Sequence, residues 1–321
     1  MFRLAVLLTL TLLFLSKSVF SKTQGGKAQV RIPQKFRNDY GQGTFHYRPE
    51  LAHKMMLLEA VTYSQFSPQE CLDRSLPADK FQIQSVVTRT CDLVGSKCSS
   101  YIAISHNVQA IVIAFRGTQS VDQLISELLE TVFSCMEDFL GGKVQTYWKK
   151  SFEILWKDME PKVKSLISSY PSYQIWVTGH SLGGAMASLA SAWIAYENIL
   201  SRQNIIMYTF GMPRVGDYKY AMQHDQLVHN SWRIVNFDDI VPRLPPFSPG
   251  SPEGAYHHGV EVFYTEPALS VYSTHKECHG KPIDEDKACS RGLVITNLKQ
   301  SIKHHTNYFG VDFGQFCATS L

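Results

Sequence analysis

The sequence predicts an α/β protein with a mainly parallel central sheet and helices on both faces, and two observations carry that prediction. Short apolar, β-branched runs alternate with longer segments of helical periodicity through the middle of the chain. That order places parallel strands between crossover helices. One of the runs also ends in the tight turn Gly179-His180-Ser181-Leu182-Gly183, which opens directly into an Ala-rich helical stretch. In such sheets the loops at the carboxyl ends of the strands carry the chemistry.

Taken in order, the chain begins with Arg3 and then Leu4 to Leu15, an apolar run relieved only by hydroxyl residues. A positive start, a run too short to span a bilayer and small residues at Ser18 and Ser21 mark an export signal. Residues 1–21 are therefore expected to be removed, leaving a secreted, extracellular protein with no transmembrane segment. The remaining residues, 22–321, are expected to form one domain. No composition break divides them, no repeat of fixed period is present, and Pro242 to Gly254 reads as a Pro-rich surface loop.

A net charge of +3 with basic residues spread along the chain excludes a nucleic-acid stripe. Seven cysteines in an exported chain imply disulfides. Spacing suggests Cys91 with Cys98, Cys278 with Cys289, and Cys71 with Cys317, which leaves Cys135. No paired CxxC pattern points to a metal, and no N-x-Ser/Thr acceptor is present.

Ala110 to Phe115 is wholly apolar, as a strand buried on both faces requires, and runs into Arg116, Gly117 and Thr118. Tyr147 to Ser169 is an amphipathic helix in which lysines alternate with Phe152, Leu155, Trp156 and Val163. Tyr173 to Thr178 is the next strand, Leu182 to Tyr196 a helix, and Ile205 to Phe210 and Trp232 to Phe237 are further strands.

Gly179 to Gly183 has the G-x-S-x-G form in a strand-turn-helix setting. A serine there occupies a strained backbone that lifts its oxygen above the sheet, so its flanking positions must be nearly free of side chain. The helix beginning at Leu182 directs its amino end at the reacting centre, where negative charge develops. Ser181 is the expected nucleophile, and His180 beside it is expected to be structural. An acid and a histidine should follow in chain order. Asp238 and Asp239 leave the end of a strand, and His304 and His305 lie near the C-terminus.

Phe115-Arg116-Gly117-Thr118, Gly179 to Gly183, Met212-Pro213-Arg214-Val215-Gly216-Asp217, Asp239-Ile240-Val241-Pro242 and His305 to Gly310 together resemble the fungal-type (class 3) triacylglycerol lipase family of the α/β-hydrolase superfamily. The resemblance covers residues 50 to 317. It implies Asp239 as the triad acid and His305 as the general base, with Asp238 and His304 as their excluded neighbours. It also implies an oxyanion hole made by the backbone N–H of Leu182 and by Thr118.

Val121, Leu124, Ile125, Leu128, Leu129, Val132 and Phe133 recur at helical spacing where the family carries its lid. An ordinary core-packed helix would share that pattern. Two departures from the family bear on lipid-surface activation: the lid has no Trp, and Gln145 stands where a His is common. The expected activity is hydrolysis of lipid esters through an acyl-enzyme on Ser181, at a lipid–water interface and without a cofactor or metal. An esterase of small or aromatic esters, a phospholipase A1 and an inactive lipid-binding homologue are the alternatives.

Overall fold

The computed structural model describes residues 46–91, 95–117, 135–248, 250–251, 253–280 and 285–317. The export signal at 1–21, Thr118 and the amphipathic segment 121–133 lie outside the described residues.

Helix α1, Pro49–Ala60, starts with proline at its first position, where the missing N–H costs nothing. Helix α2, Pro68–Ser75, starts the same way. A hairpin of β1, Gln82–Thr90, and β2, Lys97–Ser105, leads into β3, Ala110–Phe115. Strands β4, Met136–Phe139, and β5, Gly142–Gln145, form a separate antiparallel ribbon. Helix α3, Thr146–Ser169, is followed by β6, Gln174–His180, helix α4, Leu182–Tyr196, and β7, Ile205–Phe210. Then come helix α5, Tyr218–Leu227, β8, Asn230–Asn236, β9, Val260–Tyr264, β10, His275–Cys278, and helix α6, Leu298–Thr306.

Among the described residues the main sheet has eight strands in the order β1-β2-β3-β6-β7-β8-β9-β10. Every pairing from β3 across to β9 is parallel, whereas β1, β2 and β10 pair antiparallel at the two edges. The expected parallel sheet is therefore its centre. Strands β3, β7 and β8 are buried throughout, as double-faced strands must be.

Alternate residues of the central strands face opposite layers. Ile111, Ile113, Ile175, Val177 and Met207 pack with Phe152 and Leu155 of α3 and Leu189 of α4. Val112, Ala114, Trp176, Ile206 and Phe210 pack with Leu51 and Met55 of α1 and with Tyr308 and Phe313 near the C-terminus. Helix α3 buries the apolar residues named from its sequence, and its charges pair outside: Lys164 with Glu160 at 3.0 Å and Lys149 with Glu153 at 3.7 Å.

Disulfides join Cys71 to Cys317, Cys91 to Cys98 and Cys278 to Cys289 across Cα separations of 5.9, 5.8 and 6.6 Å, while Cys135 is free and exposed. The reading of Pro242 to Gly254 as a surface loop needs correction at its start. Val241, Pro242 and Leu244 are buried, and the Leu244 carbonyl accepts the Arg214 N–H at 2.7 Å. The motif Met212 to Asp217 requires that cover, because Arg214 is itself buried in a two-pronged pair with Glu285, both bonds 2.7 Å. None of the described helices is long and apolar enough to cross a membrane.

Candidate active site

Strand β6 ends at His180 and helix α4 begins at Leu182, so a single residue makes the turn. That residue, Ser181, has φ 57° and ψ −127°, a conformation L-residues avoid unless the surroundings impose it. The surroundings are tight: a Cβ on Gly183 would collide with the Phe115 carbonyl oxygen, and one on Gly179 with the Gly183 backbone. Glycines at both positions let the strand end and the helix start pass this closely. The Ser181 N–H donates to the Phe210 carbonyl at 2.9 Å, which ties the elbow to the end of β7.

The next residue along β7's exit carries the link to the acid and the histidine. Gly211 has φ +60°, and a Cβ there would sit 2.7 Å from both Asp239 Oδ2 and His305 Nδ1. Asp239 lies in the turn after β8, with its N–H donating to the Asn236 carbonyl at 3.0 Å. His305 is near the C-terminal end of α6. Its Nδ1 is 3.0 Å from each Asp239 oxygen. Asp239 accepts two further bonds, from the Val241 N–H to Oδ1 at 2.9 Å and from the Tyr308 hydroxyl to Oδ2 at 2.6 Å. With Nδ1–H given to the carboxylate, Nε2 of His305 carries the lone pair, and it is buried with no hydrogen-bond partner among the described residues. A buried acceptor left open is normally compensated, and this nitrogen is the uncompensated end of the pair among the described residues.

Tyr308 was not singled out from the sequence as a working residue, although it lies inside the His305 to Gly310 motif. Burial, and then the Asp239 charge it faces, push its hydroxyl well above the ordinary tyrosine range, so it stays a donor. Asn236 was also missed. Its Nδ2 donates to the carbonyls of His304, at 3.0 Å, and Asn307, at 2.7 Å, and its Oδ1 accepts the Ala268 N–H at 2.8 Å. These bonds span dozens of residues and leave no local pattern to read.

His180 has the structural place expected of it. Its Nε2 donates to the His305 carbonyl at 2.8 Å, which leaves Nδ1 to accept the Tyr63 hydroxyl at 2.7 Å. Its ring stacks on Phe313 at 4.2 Å, and burial holds its pKa well below the usual value, so it remains neutral. Behind it, Glu59 is fully buried at the end of α1. Burial outweighs the His180 N–H, the Thr62 hydroxyl and the Arg116 charge, and raises that carboxyl well above its ordinary range.

Leu182 is the first residue of α4, so its N–H has no intrahelical acceptor. On the other side of the elbow the chain leaves β3 through Arg116 and Gly117, and a Cβ on Gly117 would lie 3.0 Å from Ser181 Cβ. Thr118 follows directly but is outside the described residues.

A strand–serine–helix elbow over a parallel sheet, joined through β7 to a bonded Asp–His pair, defines the α/β-hydrolase class of serine hydrolases. The class 3 lipase family is the one to which the chain belongs: the model of that family, "Lipase (class 3)", matches residues 112–248, and Lipase ZK262.3 of Caenorhabditis elegans is 34% identical over 87% of this chain and 84% of that protein. Among solved structures, lipase II from Rhizopus niveus is similar at 29% identity and a TM-score of 0.70, covering 82% of this chain and 95% of that one. A triacylglycerol lipase described as having a serine protease triad as its catalytic centre is similar at 25% identity and a TM-score of 0.65, over 85% of this chain and 98% of that one. The protein is a carboxylic ester hydrolase acting on lipid esters.

Proposed function

We propose that Ser181, Asp239 and His305 are the catalytic triad of a secreted acylglycerol lipase that works at a lipid–water interface. Ser181 Oγ attacks the acyl carbon and passes its proton to His305 Nε2. His305 returns that proton to the departing alcohol, leaving an acyl-enzyme. Water then attacks the acyl carbon, giving its proton to the same nitrogen, and Ser181 recovers a proton as the fatty acid leaves. Asp239 holds the imidazole in the required tautomer and stabilises it while charged. The N–H of Leu182 and Thr118 are the proposed oxyanion donors, each typically contributing about 2.7 to 4 kcal/mol to the transition state.

The observation that carries this reading is the Asp239–His305 pair, bonded at 3.0 Å on one ring nitrogen and open on the other. Export is supported by three disulfides, which persist in oxidising compartments. Residues 1–21 are read as the signal, 22–321 as one domain, and 121–133 as a lid whose apolar face turns outward on lipid.

The test compares fatty-acid release from emulsified triolein with cleavage of soluble p-nitrophenyl butyrate, for wild type and Ser181→Ala. Wild type consumes the emulsion, and Ser181→Ala loses about 10⁴-fold or more in kcat and no longer takes a fluorophosphonate label. Cleavage of the soluble ester alone moves the reading to a small-ester esterase; release of one fatty acid from phosphatidylcholine but not triolein moves it to a phospholipase A1. Full activity in Ser181→Ala overturns the triad.

A further inference from the structure

Three residues beside helix α4, which Ser188 joins to His258, carry no ligand-spacing signal in the sequence, yet the fold brings them together. His224 and Asp225 lie in the last turn of α5, and His258 lies just before β9. One ligand atom from each, two imidazole nitrogens and a carboxylate oxygen, lie within 4.8 Å of one another. Both histidines are fully buried, while Asp225 is half-buried and opens the cluster toward solvent.

The hydrogen bonding sorts the ring nitrogens. His258 Nε2 is 2.7 Å from Ser188 Oγ, which is 2.7 Å from the Tyr220 hydroxyl. With the serine donating to the tyrosine, His258 donates from Nε2 and keeps its lone pair on Nδ1, a nitrogen without a partner among the described residues. An outer-shell oxygen on one imidazole nitrogen and a bare nitrogen on the other is how metal-binding histidines are oriented. On His224 neither ring nitrogen has a partner among the described residues. The two rings lie 3.5 Å apart and 23° from parallel. Burial drives the His224 pKa down to about 3 and the His258 pKa well below normal, so both present neutral imidazoles, as metal coordination requires. Arg233 opposes a cation here, since its Nε donates to the His258 carbonyl at 2.7 Å, but Glu261 lies 3.5 Å from its guanidinium and offsets the charge.

We propose that His224, Asp225 and His258 form a structural zinc site that clamps α5 to the segment entering β9 and, through Ser188, to helix α4. Two imidazoles and one carboxylate are a ligand set zinc accepts, with water from the Asp225 side completing four-coordination. One nitrogen of His224 and Nδ1 of His258, otherwise buried without partners among the described residues, become ligands, and the rings fan out of their stack to meet the ion.

Full-length wild-type protein, stripped with chelator and dialysed, is titrated with zinc chloride, and its metal content after gel filtration and its melting temperature are measured. The expected result is one zinc per chain and a rise in Tm of about 5 °C at saturating zinc. Asp225→Asn and His224→Gln lose the bound metal and the shift, while their Ser181 still takes a fluorophosphonate label, which reports a folded chain. Cobalt added in place of zinc gives visible absorption bands of a four-coordinate site in wild type only. Wild type that retains no zinc and shows no Tm shift overturns the proposal on its own, without reference to any variant. Equal zinc retention by His224→Gln overturns it too, by placing the metal elsewhere.

Discussion

Two Asp–His pairs stand side by side in this protein, one residue out of step with each other. Asp238 with His304 and Asp239 with His305 are each 66 residues apart in sequence, and each is hydrogen-bonded through Nδ1. They differ in what occupies the other ring nitrogen. His304 Nε2 is 3.0 Å from the Gln300 amide, whose N–H donates to it. Its proton-accepting end is already used. His305 Nε2 has no partner among the described residues, and its carboxylate is braced by two further donors, Val241 and Tyr308. The comparison teaches that an Asp–His bond is not a catalytic feature by itself. What separates the two pairs is the second ring nitrogen, taken by Gln300 in one and without a partner among the described residues in the other.

The largest effect expected from this comparison is the sharpest. His305→Ala lowers kcat on p-nitrophenyl butyrate by about 10⁴- to 10⁶-fold, whereas His304→Ala keeps activity within about tenfold and shows its loss in Tm instead. Steady-state kinetics and thermal melts on the two variants decide it, and a reversed ranking exchanges the roles of the pairs.

A smaller effect tests the bracing. Tyr308→Phe removes the 2.6 Å bond to Asp239 and leaves the ring packing in place. It is expected to lower kcat about tenfold with KM unchanged, as for a lost charge-assisted hydrogen bond that steadies the relay. An unchanged kcat means Val241 alone suffices to hold the carboxylate.

The smallest effect concerns the support behind His305, which runs through His180 to Glu59. Glu59 has a folded pKa raised by burial. Its contribution to stability is fully present below the ordinary carboxylate pKa of about 4.3, and is lost as pH rises toward the raised value. Glu59→Gln cannot ionise, so between pH 5 and 8 its stability in urea falls less steeply than wild type. The gap grows by at most about 1.4 kcal/mol per pH unit. A slope of opposite sign means Glu59 is ionised against Arg116 in the folded state.

The centre of the fold was legible because its residues are dictated locally. Strands Ala110–Phe115 and Ile205–Phe210 and helix Leu182–Tyr196 fall where their apolar runs place them. Strands read as Tyr173 to Thr178 and Trp232 to Phe237 lie at Gln174–His180 and Asn230–Asn236, since pairing with β7 extends one past its apolar run and starts the other earlier. The edge hairpin β1 and β2 was not read. β1, Gln-Ile-Gln-Ser-Val-Val-Thr-Arg-Thr, is half exposed and offers no apolar run, and its strand identity comes from the partner it meets. Helix α1 went unread as well. At the candidate site, the choice of Asp239 and His305 over their neighbours followed family register. A difference that bears on it, Gln300 on one imidazole and no partner among the described residues on the other, exists only once the chain is folded.

The disulfide from Cys71 to Cys317 spans 246 residues and fastens the segment after His305 to helix α2. The imidazole is thus borne on an arm held at both ends: by Asn236 and Asp239 where it leaves the sheet, and by a covalent rivet beyond it. A reductant that cuts this rivet is expected to loosen the arm's far end first. Cleavage of p-nitrophenyl butyrate is then expected to fall at lower reductant concentration than the melting temperature does.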